Sequence, residues 1–173
     1  VGFAIVGLGR LSLEEILPAF GESLYAKPVA LVSGTPDKLK AVATQYGIKP
    51  EACYNYEDFE RIADNPDIKV VYIVLPNAMH RQFCERAAAA GKHVLTEKPM
   101  SVSSRDGQAM VEACRQAKVK LMVAYRIQYE PYNLRARKLV QDKQHGRLVA
   151  YTATNTQTVA EDGERQWRHK KDM

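Results

Sequence analysis

Glu97-Lys98-Pro99 closes the apolar run from His93 to Thr96, which reads as a buried strand. In an open parallel sheet, ligands bind beyond the carboxyl ends of the strands. A lysine at such an end can meet a bound cofactor. Pro99 holds Lys98 extended, because the helical region is closed to a residue that precedes proline. Glu97 can set the charge around the ammonium. The tripeptide taken alone is better matched to an exposed charged pair followed by a turn that Pro99 begins, and the rest of the chain decides against that.

A second candidate is Gly7-Leu8-Gly9-Arg10-Leu11-Ser12. An apolar strand, Val1 to Val6, precedes it, and an amphipathic segment with Leu13, Ile16, Leu17 and Phe20 follows. Strand, glycine-rich turn and helix are the context that a dinucleotide fingerprint requires. Gly7 allows the tight turn. Gly9 allows the backbone to approach a pyrophosphate seated on the helix N-terminus. The third glycine of the fingerprint is replaced by Ser12, which is still small enough for helix–strand packing. The alternative is an ordinary glycine-rich turn.

The next strand ends in Ser33-Gly34-Thr35-Pro36-Asp37-Lys38, with no acid closing it. NAD-specific folds usually carry an acid there for the ribose 2′-hydroxyl. Ser33 offers a hydroxyl and Lys38 a cation, a pair that suits a 2′-phosphate and so points to NADP over NAD. Asp37 opposes this if it faces inward. Ser33 and Lys38 are also compatible with a loop start and a helix cap. Leu75-Pro76-Asn77-Ala78-Met79-His80 leaves a further strand and opens a helix, so Asn77 either caps that helix or touches the cofactor. His80 lies near the cofactor or packs. His80 and Cys84 share one helical face, but a zinc site needs three or four ligands, so no metal is expected. Gln166-Trp167-Arg168 contains the single Trp. It either walls the site or forms an exposed cluster with His169, Lys170 and Lys171.

The elements that must hold these residues alternate. Strands are expected at Val1–Val6, Pro28–Ser33, Ile68–Leu75, His93–Thr96 and Leu121–Ala124. Helices are expected at Asp37–Tyr46, Tyr56–Ala63, His80–Ala90 and Ser103–Ala117. Nearly continuous apolar runs such as Ile68 to Leu75 suit strands buried on both faces. The alternation is that of a doubly wound parallel sheet. After Arg126 the pattern changes. Pro131 to Asp142 reads as a helix, and Leu148 to Thr156 as a strand of another sheet. Too few residues follow Arg126 to bury a sheet of their own, so they read as the beginning of a second domain.

The 173 residues suit one domain, or one domain with part of another. The formal charge of +5 comes from scattered basic residues, which argues against a nucleic-acid partner and suits attraction of an anionic small molecule. Three separated cysteines form no disulfide or zinc framework. No apolar run reaches the roughly 20 residues of a membrane span. A cytoplasmic location is the default expectation, with export possible if a signal upstream of Val1 has been removed.

Taken together, the motifs resemble the glucose–fructose oxidoreductase / inositol dehydrogenase family, particularly its glucose–fructose oxidoreductase branch. Gly7-Leu8-Gly9, Leu17-Pro18-x-Phe20, Leu31-Val32-Ser33-Gly34, Leu75-Pro76-Asn77-x-x-His80 and Ala90-Gly91-Lys92-His93-Val94 carry it. So do Glu97-Lys98-Pro99, Tyr125-Arg126, Tyr129-x-Pro131 and Gln166-Trp167-Arg168. The resemblance implies an NADP-binding Rossmann domain over 1–125. Residues 126–173 would begin a substrate and oligomerisation domain with an open, mostly antiparallel sheet. It implies hydride transfer between a sugar or polyol carbinol carbon and nicotinamide, in a homo-oligomer. Lys98 would be the catalytic lysine, stabilising the developing alkoxide, and Lys98-Pro99 a cis peptide. Glu97 would lie beside the nicotinamide ribose, and Ser33 and Lys38 would hold the 2′-phosphate. Tyr56, Arg126, Trp167 and Arg168 would line the cofactor. The second-domain tyrosine expected as general acid/base is not in this sequence. Two other readings are an NADP-holding sensor or regulator without turnover and an adenosyl-methionine-dependent transferase. Lys98 disfavours the first, and the missing acid after the second strand disfavours the other.

Overall fold

A computed structural model describes residues 1–154 and 156 of the chain. Six parallel strands form one sheet: β1 (Gly2–Val6), β2 (Lys27–Val32), β3 (Cys53–Tyr54), β4 (Val70–Ile73), β5 (His93–Thr96) and β6 (Leu121–Val123). Their order is β3-β2-β1-β4-β5-β6. The order reverses at β1, so right-handed crossovers send the earlier and later helices to opposite faces. Each face is therefore covered, and the inner strands are apolar throughout. Ala4, Ile5, Val6, Leu31, Val32, Val71 and Ile73 have no solvent-exposed surface.

The connection after β1 is helical but irregular. A π-helical turn, Ser12–Ile16, runs into α1 (Leu17–Ala19) and ends in a 3-10 turn, Phe20–Glu22. Pro18 follows the π-helical turn, within one continuous helical run from residue 10 to residue 22. α2 (Pro36–Tyr46) begins with proline and stops at Gly47, whose φ of +63° gives the left-handed C-cap that glycine tolerates. α3 (His80–Ala89) and α4 (Ser104–Gln116) pack on each other. Ser103 caps α4 by accepting from the Asp106 N–H, while its hydroxyl donates to the Asp106 carboxylate.

The expected elements are present from Val1 to Ala124, with two differences. The expected helix over Tyr56–Ala63 is a 3-10 segment, Phe59–Asp64. β3 was not anticipated, because two residues are too few to show any period. The 3-10 segment is anchored by aromatic packing. Phe59 and Phe83 meet edge to face at 5.1 Å, and Tyr56 meets Phe83 at 5.4 Å. Arg86 lies over both phenylalanine rings, pairs with Glu60 and donates to the Tyr56 carbonyl.

The chain divides into two units, Val1–Ala124 and Tyr125–Met173. The second contains a 3-10 turn, Arg126–Tyr129, and α5 (Pro131–Gln141). The Glu130 carboxylate caps α5 by accepting from the Tyr132 and Asn133 N–H groups. The strand expected from Leu148 does not form among the described residues. An edge strand needs a neighbour to bond its backbone, and no strand partner is described in this unit. Among the described residues no helix is long and apolar enough to cross a membrane.

Phe83→Ala should remove the ring on which Phe59, Tyr56 and Arg86 converge. Phe83 is 1% exposed. The expected loss is about 3–5 kcal/mol, the range for a buried Phe truncated to Ala. Urea unfolding followed by circular dichroism checks this, as a lower midpoint with an unchanged slope.

Candidate functional site

Parallel pairing in register brings the strand ends to one level. Tyr54 pairs with Val32, Val32 with Val6, Val6 with Ile73, Ile73 with Thr96, and Thr96 with Val123. The residues just beyond, including Gly7, Ser33 and Glu97, therefore lie in one row. Ser33 and Glu97 are three strand spacings apart, about 14 Å. The glycine turn, the end of β2 and the Glu-Lys-Pro stretch thus border one edge of the sheet.

The glycine turn is wedged between neighbouring backbones. The Gly7 N–H donates to the Val32 carbonyl. Gly7 has φ of +94°, and a Cβ there would lie 2.3 Å from the Val74 carbonyl oxygen. No side chain fits. Gly9 differs: a Cβ there would meet nothing within 4 Å. Its role is to leave space open rather than to avoid a clash within the fold. Leu8 is buried at 3% exposure, whereas Arg10 is exposed and pairs with Glu14. Leu11 is half-buried against the core. Ser12 is buried, and its hydroxyl donates to the Gly7 carbonyl at 2.5 Å. The substitution at the third fingerprint position thus ties the helix start to the turn, which glycine could not do.

At the end of β2, Ser33 is 5% exposed, and its Oγ accepts the Thr35 N–H at 3.3 Å. Gly34 and Lys38 are exposed, with Lys38 in the first turn of α2. The Tyr56 ring lies over Gly34, where a Cβ would come within 3.0 Å of it. Burial pushes the Tyr56 phenol up, and a hydrogen bond from the Gly34 backbone partly offsets this. The structure thus brings Tyr56 to Gly34 at the end of β2, beside Ser33.

Leu75 is buried and Pro76 and Asn77 are half-buried. Asn77 does not cap α3, since Met79 occupies that position without a side-chain cap. His80 has no exposed surface. Its Nε2 lies 2.8 Å from the Leu75 carbonyl oxygen and its Nδ1 2.9 Å from that of Pro99. The ring thus joins the loops that follow β4 and β5. Cys84 turns the other way, with its Sγ 3.7 Å from that of Cys114. That hydrogen bond, with burial, raises the Cys84 thiol well above its ordinary range.

Lys98 is exposed, and the Lys98–Pro99 peptide is cis, as the resemblance implies. Glu97 is 5% exposed. Its Oε1 accepts from the Tyr72 hydroxyl at 2.6 Å, and its Oε2 accepts from the Lys98 N–H at 3.2 Å. Tyr72 was not found from the sequence, where it is one aromatic within an apolar strand. The register that places Tyr72 beside Leu95 is the missing signal. Arg126 belongs to the second unit, and Trp167 and Arg168 lie outside the described residues.

These residues fit a dinucleotide. The turn at Gly9 opens onto free space at a helix start, and Arg10, Lys38 and Lys98 expose cations suited to an anionic ligand. Residues 1–125 match the model of an oxidoreductase family with an NAD-binding Rossmann fold. A D-xylose 1-dehydrogenase (NADP(+)) from Haloarcula marismortui is 33% identical over 161 residues, 93% of this chain and 44% of that protein. Levoglucosan dehydrogenase from Pseudarthrobacter phenanthrenivorans is 27% identical over 177 residues, 100% of this chain and 44% of that protein. The crystal structure of aldose-aldose oxidoreductase from Caulobacter crescentus complexed with glycerol matches with a TM-score of 0.82 at 50% identity. That match covers 83% of this chain and 43% of the other. The chain spans less than half the length of the curated relatives it matches. With its open glycine turn and its Glu-Lys-Pro stretch on one sheet edge, the chain belongs to the glucose–fructose oxidoreductase / inositol dehydrogenase family of oxidoreductases, whose Rossmann fold binds NAD.

Proposed function

We propose that the whole protein is an NADP-dependent oxidoreductase that moves hydride between a carbinol carbon of a sugar or polyol and nicotinamide. The observation that carries this reading is the level row of strand ends, which sets an open glycine turn and the exposed Lys98 on one edge of the sheet. Bound NADP supplies the hydride acceptor or donor. Gly7 and Gly9 admit the pyrophosphate to the backbone and the helix start. Lys38 offers its ammonium to the 2′-phosphate. The Ser33 oxygen accepts from Thr35 and keeps its own proton to donate. Tyr56 covers Gly34 beside them. Lys98 holds its ammonium toward the substrate oxygen and stabilises the charge that develops there. A sugar or polyol is favoured by the substrates named for the relatives, and assembly of like subunits belongs to the same reading.

Three measurements test it. Gly9→Ala has nothing to clash with inside the fold. Its stability should stay within about 0.5 kcal/mol of the parent, the usual range for a surface change. NADP affinity should fall at least about tenfold, equivalent to about 1.4 kcal/mol. Thermal unfolding and calorimetric titration separate the two effects, and unchanged affinity would remove the turn from the site.

Calorimetry with both cofactors should show tighter binding of NADP than NAD, and Lys38→Ala should narrow the gap. Equal affinities in the parent protein would rule out the 2′-phosphate assignment.

For the chemistry, Lys98→Met should leave NADP binding largely intact and slow hydride transfer at least ~100-fold, as for loss of one aimed electrostatic donor. Lys98→Arg should not restore the rate, because a planar guanidinium does not reproduce a compact ammonium. Single-turnover nicotinamide absorbance gives the rates. Normal transfer in Lys98→Met would move the assignment to a sensor that holds NADP without turnover.

A further inference from the structure

Lys98 carries its ammonium on four flexible carbons, so the direction in which it reaches depends on how firmly its backbone is held. Two buried side chains act on that backbone from opposite sides. Ahead of it, Glu97 accepts the Lys98 N–H, and Glu97 is in turn held by the Tyr72 hydroxyl from the neighbouring strand. Behind it, His80 reaches the Pro99 carbonyl. The Tyr72 link is the shorter at 2.6 Å, and both of its partners are buried, whereas the His80 link ends on the exposed Pro99.

We propose that Tyr72 is a positioning residue for Lys98: its hydroxyl fixes the Glu97 carboxylate, which fixes the Lys98 N–H and so the root of the lysine side chain. This rests on the reading of Lys98 given above. Without the hydroxyl, one oxygen of a buried carboxylate loses its donor. The carboxylate then has reason to rotate toward other donors, and its hold on the Lys98 N–H loosens. Tyr72 touches neither the substrate oxygen nor the nicotinamide in this scheme. It acts through Glu97.

Tyr72→Phe keeps the ring and removes only the hydroxyl. Two readouts are taken on the whole protein. Amide hydrogen exchange at Lys98, followed by mass spectrometry, should quicken about tenfold, on the order of one hydrogen bond's net contribution. Exchange in β1 and β2 should be unchanged. Turnover is measured with NADP and each of D-xylose, D-glucose and myo-inositol. With the best of these, kcat should fall about tenfold, below the roughly 100-fold ascribed to a 1 Å misplacement. The KM for the sugar and the Kd for NADP should stay within about twofold, less than 0.5 kcal/mol. A loss of packing alone would disturb exchange in the neighbouring strands and cofactor affinity as well. Unchanged exchange at Lys98 overturns the proposal, as does quickened exchange with an unchanged kcat. Lys98→Met is run in parallel. If it keeps full turnover, or no sugar is turned over by the parent, the role of Lys98 in hydride transfer falls and this proposal falls with it. The exchange result then still shows whether Tyr72 holds the Lys98 backbone.

Discussion

The in-register parallel sheet is the constraint on which the rest of the site depends. Parallel strands cannot be joined by tight hairpins, so every connection crosses a face and returns to the same end. Helices then bury both faces, which is why β1, β2 and β4 are almost wholly apolar. A chain that spends its strands on the core has only its loops for chemistry. Because Val32, Val6, Ile73 and Thr96 are aligned, those loops all start at one height. Gly7 shows how tight the arrangement is: its turn enters between the ends of β2 and β4 where not even a methyl group fits.

Loops gathered at one sheet edge carry polar groups that need partners, and the local sequence supplies them from within each loop. Ser12 bonds back to Gly7, Ser33 to Thr35, and Ser103 to Asp106. His80 spans two loops. Among the described residues no buried side-chain nitrogen or oxygen lacks a partner. Each such bond is modest in net worth, but leaving one unmade in a buried setting costs about 1–3 kcal/mol. The loops are thereby held in one arrangement by the protein's own groups. A cofactor meeting such a surface has less ordering entropy to overcome.

What could be read from the sequence follows from how local each cause is. The helix after Pro36 and its stop at Gly47 depend on residues within one turn, and both were legible. So was the run from Ile68 to Leu75, whose apolar character is continuous. The helix proposed over Tyr56–Ala63 became a 3-10 segment because its position depends on Phe83 and Arg86, which lie far along the chain. β3 exists only because β2 is beside it. At the sheet edge, the places of Gly7, Gly9, Ser33, Lys38 and Lys98 at strand ends and helix starts were legible from spacing. The buried placements of His80 and Glu97 were not, because each depends on what a distant part of the chain brings near. Tyr72 was the hardest, since its partner is set by strand register alone.

Glu97 and Lys98 show how two charges that the sequence places side by side are kept apart in the fold. Glu97 is buried and Lys98 is exposed, and among the described residues no ion pair joins them. A buried carboxylate is costly unless its oxygens are bonded. Here the Tyr72 hydroxyl serves one oxygen and the Lys98 N–H the other. The acid thereby acts on the backbone of the lysine rather than on its ammonium. The ammonium, left exposed, keeps its charge available to a ligand. An Asp at position 97 would be one methylene shorter and would not span the same gap between Tyr72 and the backbone. The length of the glutamate side chain thus matters as much as its charge.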